Sequence, residues 1–183
     1  MNVARGSKEW FINDLYNIKK QGCKHIDIVD ISALPEKIWR PRLEEADVLF
    51  SSGGNSFHLM RWMKESGLKE ILPELLKTKV YAGISAGSMV TNPTLELSSK
   101  DRKIYYEENF GYSSNEALHF VDFYIRPHFK SPDFPQANEE YLKQVAEGIQ
   151  AVIYAIDDNS ALKVVEGQVD IVSEGKYLIL NKG

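Results

Sequence analysis

Ser85 stands in Gly83-Ile84-Ser85-Ala86-Gly87, directly after the strand-like run Val80-Tyr81-Ala82. Glycine, any residue, serine, any residue, glycine at the end of a strand is the pattern of a nucleophile elbow. In that turn a serine hydroxyl is pushed out of the sheet, and a Cβ at either flanking position would crowd it. A helix behind the turn would favour developing negative charge. The plainer alternative is a structural turn in which Ser85 only caps a helix. A hydroxyl is a weak nucleophile at neutral pH, so chemistry at Ser85 requires a base, and the base requires an orienting acceptor. Four histidines are available. His25 precedes a strand at its amino end, His58 follows glycines on a helix surface, and His119 opens a strand. His128 follows a strand at its carboxyl end, the rim at which open α/β sheets gather their ligands, and is the candidate base. Without that chemistry it is a loop histidine behind a rigid Pro127.

Gly53-Gly54-Asn55 closes the strand before the elbow strand. Glycines there allow backbone N–H groups close to a substrate oxygen. With the Ala86 N–H, Gly54 would form an oxyanion hole; otherwise the pair marks a turn needing positive φ.

These residues need a scaffold, and the hydrophobic periodicity supplies one. Ser7 to Gln21 has helical spacing and stops at Gly22. Residues 26–31 and 48–50 read as strands, 35–45 as a short helix or turn-rich connection, and 56–76 as one helix or two, broken near Gly67 and Pro73. Residues 80–82 form the elbow strand. This β-α repetition predicts an α/β fold with a parallel sheet. Residues 94–116 read as a long polar loop, with room for a short hairpin. A strand over 121–125, a helix over 138–149 and a buried strand over 151–156 follow. A hairpin turning at Glu166-Gly167 and a last strand at 177–180 end the chain. All of it, 1–183, reads as one domain.

Composition bounds the rest. The chain has 183 residues, 43% hydrophobic and 26% charged, in the range of a globular domain. A net charge of −4 with no long basic run argues against nucleic acid as partner. Cys23 is the single cysteine, which excludes an internal disulfide and suggests an inert, partly buried thiol. No signal-peptide pattern or membrane-length apolar run is present, so a cytoplasmic location without membrane contact is expected. The histidines are dispersed and the thiol lies far from the elbow, so no metal and no cofactor is expected.

Ser-Gly-Gly-Asn-Ser-Phe-His-Leu (52–59), Tyr-Ala-Gly-Ile-Ser-Ala-Gly-Ser (81–88) and Phe-Tyr-Ile-Arg-Pro-His-Phe (123–129) together resemble the signature blocks of peptidase E, the aspartyl dipeptidase family that includes cyanophycinase. The resemblance covers roughly residues 3 to 175. It implies a class I glutamine-amidotransferase-like, flavodoxin-like three-layer sandwich. It also implies metal-free serine hydrolysis of dipeptides with an N-terminal aspartate. Carried over by position, Ser85 matches the nucleophile, His128 the base, and Gly54 and Ala86 the oxyanion hole. Asp101 is the nearest match to the acidic triad member, with Glu96, Glu107 and Asp158 as competitors and a solvated loop carboxylate as the alternative. Selecting an aspartyl side chain requires a cation or several donors. Arg126 is the most suggestive cation, ahead of Lys130, Arg102 and Lys103, and Asn55 is a further substrate-binding candidate. An esterase or a non-catalytic binding module would share these blocks.

The family ordinarily begins with a strand, a helix and a second strand that have no counterpart here, so the resemblance implies an N-terminally shortened sheet. A bared parallel-sheet edge predicts a homodimer or an unstable chain. A monomeric, cooperative, high-melting 183-residue chain in sedimentation and thermal unfolding would contradict that expectation.

Overall fold

Val48–Ser51 (β1) and Val80–Gly83 (β2) pair in parallel, in the register Val48 to Val80 and Ser51 to Gly83. Parallel neighbours need a long crossover, and two helices supply it, Ser56–Glu65 (α3) and Leu68–Leu75 (α4). The break between them is Gly67, at φ 80, where a left-handed residue ends one helix and starts the next. Pro73, expected as a second break, lies inside α4. The computed structural model describes residues 9–182. It divides into two compact units between Gly87 and Ser88, each described by itself below.

The first unit opens with Glu9–Lys20 (α1). This matches the helix read from periodicity, except that Ser7 lies outside the described residues. Glu36–Glu45 (α2) fills the segment for which a short helix or a turn-rich connection was expected. Trp39 of α2, Leu49 of β1, Phe57, Met60 and Met63 of α3, and Leu68 and Leu72 of α4 are among the buried apolar residues of this unit. Residues 26–31, read as a strand, do not form one. A strand exists only against a partner, and among the described residues none pairs with this segment. Side chains hold it instead. Arg42 pairs with Asp27 and donates to the Ile28 carbonyl at 3.2 Å, and the Asp30 carboxylate accepts from the Ser32 N–H at 3.0 Å. Ile26 and Ile28 are left exposed. Cys23, expected to be partly buried, is exposed in the connection after α1.

The second unit carries Tyr124–Arg126 (β3), Ile153–Ile156 (β4) and Tyr177–Leu180 (β7) in the order β3-β4-β7. β3 and β4 are parallel, joined through Glu139–Ala146 (α7), and β7 is antiparallel to β4. The hairpin read at Glu166-Gly167 is present as Ser160–Val165 (β5) and Gln168–Ser173 (β6). Its two turn residues have φ 50 and 78, as a two-residue turn of the primed type demands. Met89, Leu97, Tyr124, Ala146 and Ile153 form one apolar cluster, and Phe129, Leu142 and Ala155 a second.

The long polar loop expected over 94–116 is overturned at its centre, where Lys100–Phe110 (α6) is helical. Its amphipathicity is weak, and only Tyr106 is buried, so periodicity concealed it. The end signals were legible: Ser99 at the N-cap position, Asp101 in the first turn, and Gly111 at φ 62 as the C-cap. Among the described residues no helix is long and apolar enough to cross a membrane.

Candidate active site

The serine elbow belongs to the first unit. β2 ends at Gly83, and Ser85 follows at φ 51, in the left-handed region that costs a non-glycine residue energy. The Gly87 N–H closes the turn by donating to the Ile84 carbonyl at 2.8 Å, and the Ile84 N–H donates to the Ser51 carbonyl at 3.0 Å. A Cβ on Gly87 would lie 2.0 Å from the Ser51 carbonyl oxygen, so only glycine permits this approach to β1. The Tyr81 hydroxyl donates to the Gly87 carbonyl at 2.7 Å and braces the turn from β2. Burial holds the Tyr81 phenol protonated far above its usual range, so it remains a donor at any working pH.

Gly87→Ala is expected to lower stability by about 3 kcal/mol, because the added methyl meets backbone on a strand that cannot yield. For a chain of this size that is a melting-temperature drop of about 6–12 °C. An unchanged thermal melt would refute the close-approach reading of Gly87.

The helix expected behind Ser85 is a single turn, Ala86–Met89 (α5). A one-turn helix has almost no macrodipole to offer at this point. Across from the elbow, Gly54 has φ 133, a conformation that favours glycine. A Cβ on its neighbour Gly53 would sit 3.4 Å from the Ser85 Cβ, so the loop after β1 lies directly against the serine. Asn55, expected at a substrate, is the N-cap of α3: its side-chain oxygen accepts from the Phe57 N–H at 2.9 Å and the His58 N–H at 3.3 Å.

His128 belongs to the second unit. β3 delivers Arg126, Pro127 and His128 in succession, and Phe129 anchors the turn by burial against Leu142 and Ala155. Its N–H donates to the Ile156 carbonyl at 2.9 Å, which ties the turn to the end of β4. His128 itself has φ 64, a second strained backbone position. Its ring stacks on Phe134 at 4.0 Å between centroids and 5° between planes. Nδ1 is 2.7 Å from Asp158 Oδ1. Burial pulls the His128 pKa below its ordinary value. The Asp158 carboxylate opposes this, and the Arg126 and Arg102 charges reinforce it. Burial thus favours the neutral ring, the state a base requires.

Asp101, matched first as the acidic partner, lies in the first turn of α6 and is exposed. Asp158 is the carboxylate at hydrogen-bonding distance from His128. The reason is topological: parallel pairing of β3 with β4 brings the residues after both strands to one rim. Glu96 is spent elsewhere, accepting from the Tyr124 hydroxyl at 2.6 Å, and Glu107 is exposed on α6. Asp157 sets the turn that presents Asp158. Its Oδ1 accepts from the Ser160 hydroxyl at 2.6 Å and the Asn159 N–H at 3.1 Å, and its Oδ2 accepts from the Lys176 N–H. Gly175 is close-packed on the same carboxylate, where a Cβ would come within 2.1 Å.

Arg126, expected to contact substrate or to face solvent, is buried at 4% exposure. Lys130 makes a long ion pair to Glu139 at 3.7 Å. Arg102 lies with its guanidinium carbon 5.5 Å from the Phe134 ring centre. Residue-by-residue reading missed Phe134 altogether: one aromatic in a proline-rich connection carries no periodic signal. His58 and His119, the other two described histidines near candidate segments, have local roles. Burial lowers the His58 pKa on α3, and His119 faces Asp122 at 3.0 Å.

The geometry can be set beside known proteins. A protein-family model, Peptidase family S51, matches residues 3–172. Peptidase E of Streptomyces coelicolor is 33% identical over 148 residues, which are 78% of this chain and 58% of that protein. Peptidase E of Haemophilus influenzae is 30% identical over 147 residues, 77% of this chain and 65% of that one. The chain thus spans less than two thirds of the length of these curated relatives. Among solved structures, a candidate peptidase E from Listeria monocytogenes EGD-e matches with a TM-score of 0.78 at 22% identity, over 95% of this chain and 82% of that one. A peptidase from an acI-B1 actinobacterium matches with a TM-score of 0.66 at 18% identity, over 96% and 72%. At those identities the likeness is one of α/β fold. The family model covers all three signature blocks, and with it the conclusion is plain: this chain belongs to Peptidase family S51.

Proposed function

We propose that the chain is a serine peptidase that cleaves short peptides, dipeptides with an N-terminal aspartate foremost, through an acyl-enzyme. The observation that carries this reading is the strained Ser85, at φ 51 between the close-packed Gly87 and the Gly53-Gly54 loop. Strain of this kind is retained where the surrounding structure enforces it, and a strand-to-helix serine turn is the place where it serves a nucleophile. Burial that favours the neutral ring of His128, and the contact of its Nδ1 with Asp158, support the second half of the reading, because a base must be deprotonated and oriented.

On this reading Nε2 of His128 takes the Ser85 proton as the hydroxyl oxygen attacks the scissile carbonyl carbon. The Gly54 and Ala86 N–H groups hold the oxyanion. The imidazolium then gives its proton to the leaving amine, and a water deprotonated by His128 hydrolyses the ester. Asp158 keeps the imidazole in one tautomer and stabilises its cation, which makes it the acidic member in preference to Asp101. Membership in Peptidase family S51 and the peptidase E names of the relatives support peptides as substrates.

A fluorophosphonate probe tests the reading directly. Ser85 is expected to be labelled in the folded chain, with Asp-Leu cleaved faster than Ala-Leu or p-nitrophenyl acetate. Faster turnover of the acetate would make it an esterase. A folded chain that takes no label would be a binding module.

A further inference from the structure

Two contacts bear on the His128 ring from different directions. Nδ1 lies 2.7 Å from Asp158 Oδ1, but the Asp158 side chain is 65% exposed. A bond to a carboxylate so open to water is weak on balance, and one bond in the ring plane resists tilting out of that plane poorly. The other contact is to the face of the ring. Phe134 lies on the imidazole at 4.0 Å between centroids and 5° between planes, which leaves no room for water between them. Arg102 of α6 lies over the Phe134 ring, its guanidinium carbon 5.5 Å from the centre, within range of a cation–π contact.

The connection after β3 is folded to deliver that phenyl ring. The Ser131 N–H donates to the His128 carbonyl at 3.0 Å, and the Phe134 N–H donates to the Ser131 carbonyl at 3.2 Å. The Ala137 N–H donates to the Phe134 carbonyl at 2.8 Å, and the Lys130 N–H donates to the Ala137 carbonyl at 2.8 Å. Ala137 is fully buried, and Pro135 opens the short helical turn Pro135–Ala137. Pro132 and Pro135 fix φ on either side of Phe134. The reversal keeps two left-handed non-glycine residues, His128 at φ 64 and Lys130 at φ 61. Such positions persist only where the surroundings enforce them.

We propose that Phe134 is a positioning residue for His128: its ring is the wall that fixes the imidazole plane, so that the Asp158 bond stays aligned and Nε2 keeps one direction. A supporting group holds a reacting one only when packing locks its own orientation, and the folded-back connection supplies that lock. The inference rests on the peptidase reading of His128, but one arm of its test needs no turnover.

Phe134→Leu keeps an apolar side chain and loses the flat face, whereas Phe134→Tyr keeps the face. Long-range proton–nitrogen NMR of the full chain, taken where the imidazole is neutral, reads the His128 tautomer directly. The parent is expected to hold its proton on Nδ1, with Hε1 moved upfield by the phenyl ring current. Phe134→Tyr should retain both features. Phe134→Leu should lose the upfield shift and average the two nitrogen signals. A mixed tautomer in the parent, or an unchanged tautomer in folded Phe134→Leu, would overturn the proposal. In hydrolysis of Asp-Leu, Phe134→Leu should lower kcat ~10-fold or more with KM within ~3-fold, because a misaligned base is felt in the transition state. Phe134→Tyr should restore kcat to within ~3-fold of the parent. A raised KM at unchanged kcat would make Phe134 a substrate contact and overturn the positioning role. Should Phe134→Leu not fold, the parent and Phe134→Tyr decide: an upfield Hε1 with the proton on Nδ1 in both supports the wall, and its absence from either overturns it. Absent fluorophosphonate labelling with the tautomer pattern as expected would remove the peptidase reading and leave the wall standing.

Discussion

Replacing Ser85 by alanine is expected to lower turnover of Asp-Leu by at least ~10⁴-fold, with the fold intact. The loss is large because the nucleophile and its base act as one unit. Without the hydroxyl no ester forms, and only oxyanion stabilisation and binding remain to assist water. The fold should survive, because alanine retains the Cβ of Ser85 beside the Gly53 loop and the closing bond from the Gly87 N–H to the Ile84 carbonyl is backbone. Alanine at φ 51 keeps the strain and does not add to it. Steady-state hydrolysis with a circular-dichroism melt checks both statements. Turnover within tenfold of the parent would remove Ser85 from the chemistry.

Asp158→Asn carries the second large effect, and it separates two carboxylates that sequence reading could not. An amide at 158 can donate to His128 Nδ1 and so favour the wrong tautomer, and loss of the anion removes support for the imidazolium. A fall of ~10³- to 10⁴-fold in kcat/KM follows. The pH profile moves too. In the parent, kcat/KM rises as His128 loses its proton, with the midpoint below the ordinary 6.5, because burial outweighs the pull of Asp158. Asp158 raises the His128 pKa, so removing its charge shifts that acid limb further toward low pH while the plateau falls. Asp101→Asn, on the exposed first turn of α6, should change neither limb nor plateau by more than ~3-fold. If Asp101→Asn produced the large loss and Asp158→Asn the small one, the 2.7 Å contact would be structural only.

Much of the scaffold was legible because its signals are local. Gly67 and Glu166-Gly167 mark their turns through φ alone, and each stands where a left-handed residue is needed. The hairpin and α3, α4 and α7 follow from periodicity. Segment 26–31 misled because alternating apolar residues report a capacity to pair, whereas a ladder also needs a neighbour. α6 misled in the opposite sense: its polar surface hid a helix whose caps were visible at Ser99 and Gly111.

By itself the sequence determined the family, through three blocks whose residue types are dictated by tight turns, and it determined which serine and which histidine to weigh. Steric demands at Gly54 and Gly87 act within a few residues or on the adjacent strand, so they are written in composition and order. Tertiary structure decided what those side chains meet. Asp158 is 30 positions from His128 and reaches it only because β3 and β4 run parallel to one rim. Burial of Arg126 is likewise a property of the packed unit. Partner choice and desolvation depend on distances closed by folding, and no local pattern of residue types encodes them.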